Sequence, residues 1–338
     1  MPFVARFSLA SAARAMPERA AAEVRGAEDS RARMMEDVRA GLCGSGQKEL
    51  PPTYFYDERG SRLFDEITRL PEYYATRAEH ALLEERAEEI IQLTGARALA
   101  ELGAGTATKS RTLLRALTAR GPAQYLPLDV DGETLAATAA ALREEFPALD
   151  VIPVVADMRD DVAVPRTRHP LLYAFLGSTI GNFEPNAARG LLRRIRATLR
   201  PTDRLLLGVD LIKDASVLHA AYNDARGVTA DFNLNVLRVL NRELGADFEL
   251  DQFVHRAFYD ADASRIEMHL VSQRDQRVCV PGVGDVHIAR GESIRTEISA
   301  KFDHHSTAAM LETAGFRMTE WMTSPEALVA LAIAEPIA

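Results

Sequence analysis

Two cysteines in 338 residues, Cys43 and Cys279, lie far apart in the chain. They leave no disulfide framework and no thiolate set for zinc, and their scarcity fits a reducing cytoplasm. Positive charge is also short: 40 Lys and Arg stand against 49 Asp and Glu, a formal net charge of −9. The arginines are interspersed with Glu and Asp, which excludes the Lys/Arg stripe that a nucleic-acid face requires. No apolar run approaches the roughly 20 residues needed to span a bilayer. Repeats and low-complexity stretches are missing as well, and the single tryptophan, Trp321, reads as packing on an edge strand. What remains is 47% hydrophobic and 26% charged, enough for one large core with an elaboration. The expectation is a cytoplasmic monomer without nucleic-acid or membrane partners.

The first 30 residues are rich in Ala and Arg and lack a continuous apolar core, so they read as a poorly ordered N-terminal extension. From Thr76, TRAEHALLEERAEEIIQLTG predicts a helix opened by a Thr76/Glu79 capping box and stopped at Gly95. Short apolar runs follow: ALAELG (98–103), YLPLDV (125–130), VIPVVAD (151–157), LLYAFLG (171–177) and LLLGVDL (205–211). Helical patterns separate them. Continuous rather than alternating apolar strands, each followed by a helix, indicate a parallel sheet covered on both faces, a doubly wound α/β core. FRMTEWMTS and ALVALAIA near the end of the chain predict an antiparallel hairpin at one sheet edge. Between Lys213 and Phe302, two helical stretches and five alternating segments predict an inserted antiparallel domain.

Strand one runs into E101-L-G-A-G-T-A-T-K-S110, a glycine turn that opens a helix. Gly103 and Gly105 let the backbone turn tightly and approach a ligand. A nicotinamide fingerprint wants Gly or Ala where Thr108 stands, which weakens a dehydrogenase reading. The pattern instead resembles the first motif of class I S-adenosylmethionine methyltransferases, with Glu101 as the acidic residue before G-x-G. Asp129, ending the second strand, suits two ribose hydroxyls, and Asp157-Met158, ending the third, suits an adenine amino group and ring. The blander alternative is a helix entry and two solvent-facing strand caps.

Longer stretches resemble one family, the L-histidine Nα-methyltransferases of ergothioneine biosynthesis, related to the dimethylallyltryptophan N-methyltransferases. They are PPTYFYDERGSRLFDEITRLPEYYATRAE (51–79), ELGAGTATKSRTLL (101–114), FLGSTIGNFEP (175–185), LLLGVDLIKD (205–214), GVTADFNLNVLRVLNRELGADF (227–248), RIEMHL (265–270) and RTEISAKF (295–302). The resemblance implies a class I methyltransferase (Rossmann-like) core, 78–212 plus 302–338, with a second α+β substrate domain, 31–77 plus 213–301. It also implies trimethylation of the α-amino group of L-histidine to hercynine, with S-adenosylmethionine as donor, S-adenosylhomocysteine as product and no metal. By matched motif, Glu101, Gly103, Gly105, Lys109, Asp129, Asp157 and Met158 correspond to cofactor contacts. Tyr73, Asn182 and Tyr222 would surround the amino-acid head group, Glu297, Ile298 and Ser299 the side chain, and Met268 the ring; Gly177 would also bind the substrate, and Tyr56 would sit near the reacting amine.

Each of these has a plainer use. Met268 on an alternating strand suits a core, the tyrosines an aromatic cluster, and Asn182 a turn. Lys301 reads as solvated, and His304 and His305 as surface or helix entry rather than metal ligands. In RTEISAKF, Glu297, Ser299 and Lys301 share one face, and a carboxylate there favours an imidazole over an indole, which offers only one N–H. The competing functions are an Nα-methyltransferase of tryptophan or a prenylated tryptophan and a non-catalytic S-adenosylmethionine sensor.

Overall fold

The structure is a computed structural model that describes residues 30–160 and 162–337; nearly all of the expected N-terminal extension lies outside the described residues. The strands in chain order are β1 (Lys48–Glu49), β2 (Ala98–Leu102), β3 (Ala123–Asp129), β4 (Leu149–Val151), β5 (Val154–Val155), β6 (Leu171–Phe175) and β7 (Arg204–Asp210). They continue as β8 (Phe253–Asp260), β9 (Arg265–Ser272), β10 (Gln276–Val280), β11 (Gly284–Ile288), β12 (Ser293–Ala300), β13 (Phe316–Thr323) and β14 (Val329–Pro336). Two compact units divide the chain. The smaller holds the residues up to Ser61, Ala230–Arg256 and His269–Thr296; the larger holds Arg62–Thr229, Ala257–Met268 and Glu297–Ala338.

The larger unit carries a sheet of order β13-β14-β7-β6-β2-β3-β4, with β5 paired to β3. Strands β2, β3, β6 and β7 run parallel, in register through Leu102↔Leu128, Leu102↔Phe175 and Phe175↔Leu207. The apolar runs explain this: every residue of β2 and β6 is buried, so neither face of those strands can tolerate water. On one face Ala98, Ala100 and Leu102 join Tyr173, Phe175, Leu205 and Leu207 in a core closed by Leu191, Leu192, Ile195 and Leu311, from the helices Pro185–Thr198 and His304–Thr313. The helix Ala75–Thr94 lies against β7 and β14. The expected edge hairpin is present: β14 pairs antiparallel with both β13 and β7. Because β2 is followed on one side by β3 and on the other by β6, the strand order reverses beside β2, where an open α/β sheet leaves a crevice at its strand ends.

Two local expectations change. The single strand expected over 151–157 is split into β4 and β5 around Pro153, which has no N–H to give to a ladder. The edge nevertheless follows β3, since Ile152 N donates to Tyr125 O at 2.8 Å and Ala156 N to Asp129 O at 2.9 Å. The helix expected from Thr76 begins at Ala75, with Tyr74 as N-cap and no side-chain cap. Glu79 is therefore no capping-box partner; it is buried and directed elsewhere. Gly95 ends the helix in the left-handed conformation, as expected.

In the smaller unit a helix runs over 30–42, and the hairpin β10-β11 pairs antiparallel through Val278↔Val286. The segment YFYDERG forms a fixed turn. Asp57 Oδ1 accepts from Gly60 N and from Asn235 Nδ2, both at 2.7 Å, while Asn235 Nδ2 also donates to Phe55 O at 3.0 Å. A Cβ on Gly60 would lie 1.6 Å from Phe55 O, so only glycine closes this turn. Strands β8, β9 and β12 contribute residues to both units, in a sheet of order β1-β12-β9-β8. Among the described residues no helix is long and apolar enough to cross a membrane.

Candidate active site

The chain leaves β2 at Leu102 and turns through Gly103 and Gly105, both with positive φ, +71° and +48°. Gly103 N and Ala104 N donate to Leu128 O at 2.8 and 3.0 Å, which ties the turn to the end of β3. A Cβ at position 103 would sit 2.7 Å from Met158 Cε. The glycine therefore opens a cradle with Met158 as one wall. Gly105 N donates to Asp129 Oδ2 at 2.9 Å and Asp131 N to Oδ1 at 3.2 Å, so the backbone orients this carboxylate at the strand end. Val130 and Val155 expose apolar side chains there, at 60% and 68%; sequence reasoning passed over them, although two valines beside Asp129 and Asp157 suit the edge of an aromatic ring.

The remaining cofactor candidates divide. Asp157 is gripped by its neighbour: Arg159 Nε reaches both carboxylate oxygens at 3.2 Å and Nη2 reaches Oδ2 at 2.9 Å. Glu101 lies beneath the turn, buried, with its carboxylate accepting from the Tyr125 hydroxyl. Burial pushes its carboxyl up to about 7. Lys109 pairs with the buried Glu79, whose other oxygen accepts from Gly177 N at 2.7 Å. Gly208 of β7 gives Glu79 its room, since a Cβ there would fall 2.2 Å from Glu79 Oε1. Glu79 thus joins the first turn of one helix, the Lys109 head and the loop after β6, a role hidden in sequence behind the apparent capping box.

At the end of β7 a second, ionic cluster is built on Asp210. Its carboxylate accepts from the Tyr74 hydroxyl at 2.8 and 2.9 Å and pairs with Lys213 and with Lys301, the latter at 2.9 Å. Burial opposes the Asp210 charge, yet the two ammonium groups hold it below the usual carboxylate range. Burial brings Lys213 down to about 8. For Lys301 burial again disfavours the charge, but Asp210 more than offsets it and holds the ammonium above its ordinary range. The solvated lysine expected at 301 is corrected: the residue is 3% exposed.

Lys301 leads directly to the amino-acid candidates. Its Nζ donates to Ser299 Oγ at 2.7 Å and to Tyr222 Oη at 3.2 Å, and Tyr222 Oη donates to Ser299 Oγ at 2.9 Å. Tyr73 meets the Tyr222 ring edge-on at 6.5 Å. Glu297, two residues before Ser299 on β12, keeps partial exposure, while burial lifts its carboxyl to about 7 against the opposing pull of the Lys301 charge. Ile298 is buried on the other face of that strand, and Met268 is buried on β9. The loop after β6 comes onto the same strand: a Cβ at Gly181 would lie 2.8 Å from Ala300 O, which sets Asn182, the last residue of the turn Thr179–Asn182, beside it. Ser178 Oγ accepts from Asp210 N at 2.7 Å. Asp210, Lys213 and Lys301 carried a readable signal, the first two in LLLGVDLIKD and the third by sharing a strand face with Glu297 and Ser299.

Tyr56 belongs to the smaller unit. It stands on the locked YFYDERG turn, 46% exposed, edge-on to the Phe232 ring at 5.5 Å. His304 opens the helix His304–Thr313 behind an Asp303 capping box and meets Trp321 edge-on. Among the described residues, no group of three or more His, Cys, Asp and Glu could hold a metal ion.

Known proteins share this arrangement of sequence. A histidine N-alpha-methyltransferase of Mycolicibacterium smegmatis is 46% identical over 312 residues, 91% of this chain and 97% of that protein. One of Mycobacterium tuberculosis is 45% identical over 86% of this chain and 91% of its own length. The ergothioneine biosynthesis protein 1 of Neurospora crassa is 33% identical over 82% of this chain but only 32% of its own. The profile of the family described as "Histidine-specific methyltransferase, SAM-dependent" matches residues 34–336. By that match and those relatives, the chain belongs to the S-adenosylmethionine-dependent, histidine-specific methyltransferases.

Proposed function

We propose that this protein transfers methyl groups from S-adenosylmethionine to the α-amino nitrogen of L-histidine, three times in succession, to give hercynine for ergothioneine biosynthesis. The observation that carries the substrate assignment is the polar face of β12. Glu297 offers an acceptor and Ser299 a hydroxyl two residues on, a spacing of about 7 Å along a strand, and an imidazole presents an N–H and a bare nitrogen to such a pair. The names of the relatives agree with it.

On the cofactor side the residues fit the group. The Gly103 cradle admits close approach of the backbone, Asp129, held at the end of β3 by two backbone amides, is the ribose acceptor, and Met158, Val130 and Val155 supply apolar walls for the adenine. Lys109 is a cation for the carboxylate of the donor, kept in place by Glu79. Asp157 takes part only if its pairing with Arg159 opens. When bound, the sulfonium supplies an electrophilic methyl group. The protein has to place a neutral amine in line with it, and placement accounts for much of the barrier reduction. Tyr73 and Asn182 hold the substrate carboxylate with hydrogen-bond donors, beside Tyr222, whose own proton goes to Ser299, within a cluster whose lysines make the surroundings positive. For Tyr56 the family resemblance alone suggests a role in orienting the amine and relaying its proton.

The test is to incubate the purified protein with S-adenosylmethionine and L-histidine, L-tryptophan or no amino acid, and to follow the product mass. Three methyl additions on histidine alone are expected. No addition on any amino acid would overturn the enzyme reading, and addition to tryptophan alone would overturn the substrate.

A further inference from the structure

Lys301 is the least expected charge in the molecule. It is fully buried in its side chain, and an ammonium has three N–H donors and no acceptor. Each donor has one partner: Asp210 Oδ2 at 2.9 Å, Ser299 Oγ at 2.7 Å and Tyr222 Oη at 3.2 Å. Both hydrogen bonds at Ser299 Oγ are incoming, from Lys301 and from Tyr222. A serine hydroxyl that accepts twice has its lone pairs occupied and only its proton left to offer. Two residues along the same strand face, Glu297 presents a carboxylate, whose ionised form can only accept.

We infer that Lys301 is a positioning residue that makes Ser299 an obligate hydrogen-bond donor, so that the β12 face selects a ring with one N–H and one bare acceptor nitrogen, a neutral imidazole. The inference rests on the proposed histidine activity and deepens it. Glu297 alone takes any ring with an N–H, including pyrrole or indole. Ser299, polarised by Lys301, rejects a ring whose second position is carbon, because its proton would be buried without a partner. Asp210 holds Lys301 in the charged form that cannot accept, and so acts one step further back.

The experiment compares L-histidine with its two pyrrolylalanine analogues. Each keeps one ring N–H and replaces the other ring nitrogen by CH. The parent protein should prefer histidine over either by at least about a hundredfold in kcat/KM. Lys301→Met keeps the length of the side chain and removes all three donors. It should lower kcat/KM for histidine at least about tenfold, mostly through KM, while changing the better pyrrolylalanine by less than about twofold. The preference therefore falls from about a hundredfold to about tenfold. Equal losses on histidine and pyrrolylalanine would reduce Lys301 to a structural role and overturn the inference, as would an unchanged preference. Should Lys301→Met fold poorly, Asp210→Asn/Lys213→Met/Lys301→Met removes all three paired charges together and must show the same fall in preference. A parent protein that methylates none of the three amino acids fails the histidine reading itself, before any variant is made.

Discussion

The glycine turn after β2 and the ionic cluster after β7 stand at the ends of parallel strands in one sheet, yet they are built from opposite materials. The first is backbone: two left-handed glycines, amides on Leu128 O and Asp129, and apolar walls open to solvent. The second is side chain: Asp210 between two buried lysines and a buried tyrosine, passing its order to Ser299 and Tyr222. A backbone cradle recognises shape common to every user of one cofactor. A buried charge network is costly to assemble and fixes direction, donor against acceptor, which is what choosing one amino acid requires.

The comparison breaks first at Asp210. Asp210→Ala leaves Lys301 and Lys213 buried without their carboxylate, and should lower the unfolding free energy by about 3–5 kcal/mol, read by chemical denaturation. A loss below about 1 kcal/mol would mean that the cluster behaves as a surface pair. The cradle should respond differently. Gly103→Ala forces a side chain into φ +71°, at a cost of about 1–2 kcal/mol, and pushes on Met158. S-adenosylmethionine affinity should fall about tenfold while Asp210 keeps its pairing; unaltered cofactor affinity in calorimetry would contradict the cradle.

A smaller effect sharpens the electrostatics. The Glu297 carboxyl, at about 7 in the folded chain, lies above an ordinary glutamate at about 4.3, so the folded state holds that proton more tightly than the unfolded state. Its stabilising contribution is full below about pH 4 and is lost as pH rises toward 7. Buried Glu101 adds a slope of the same sign. Glu297→Gln cannot ionise and should flatten part of that decline in melting temperature between pH 4.5 and 7.5; an unchanged profile would place Glu297 in an ordinary solvated setting.

Much of this was legible in the chain. Continuous apolar runs specify buried parallel strands, and ELGAGT specifies a turn that only glycine can make. The E-x-S spacing specifies a polar strand face. Pro153 within VIPVVAD, by contrast, was a readable strand break that the apolar run masked. Glu79 was misread because T-x-x-E satisfies a local rule, whereas its partners Lys109 and Gly177 come from elsewhere in the sequence. Lys301 was misread for a similar reason: its burial depends on Asp210, 91 residues earlier. Local patterns report elements, but the pairing of buried charges is decided by topology.

The central claim is that Glu297 grips the substrate ring, and calorimetric titration of L-histidine into the parent protein and Glu297→Ala tests it most directly. The account predicts that the substitution weakens histidine binding by about 1.5–3 kcal/mol and leaves S-adenosylmethionine binding unchanged. Equal histidine affinity in the two proteins would contradict it.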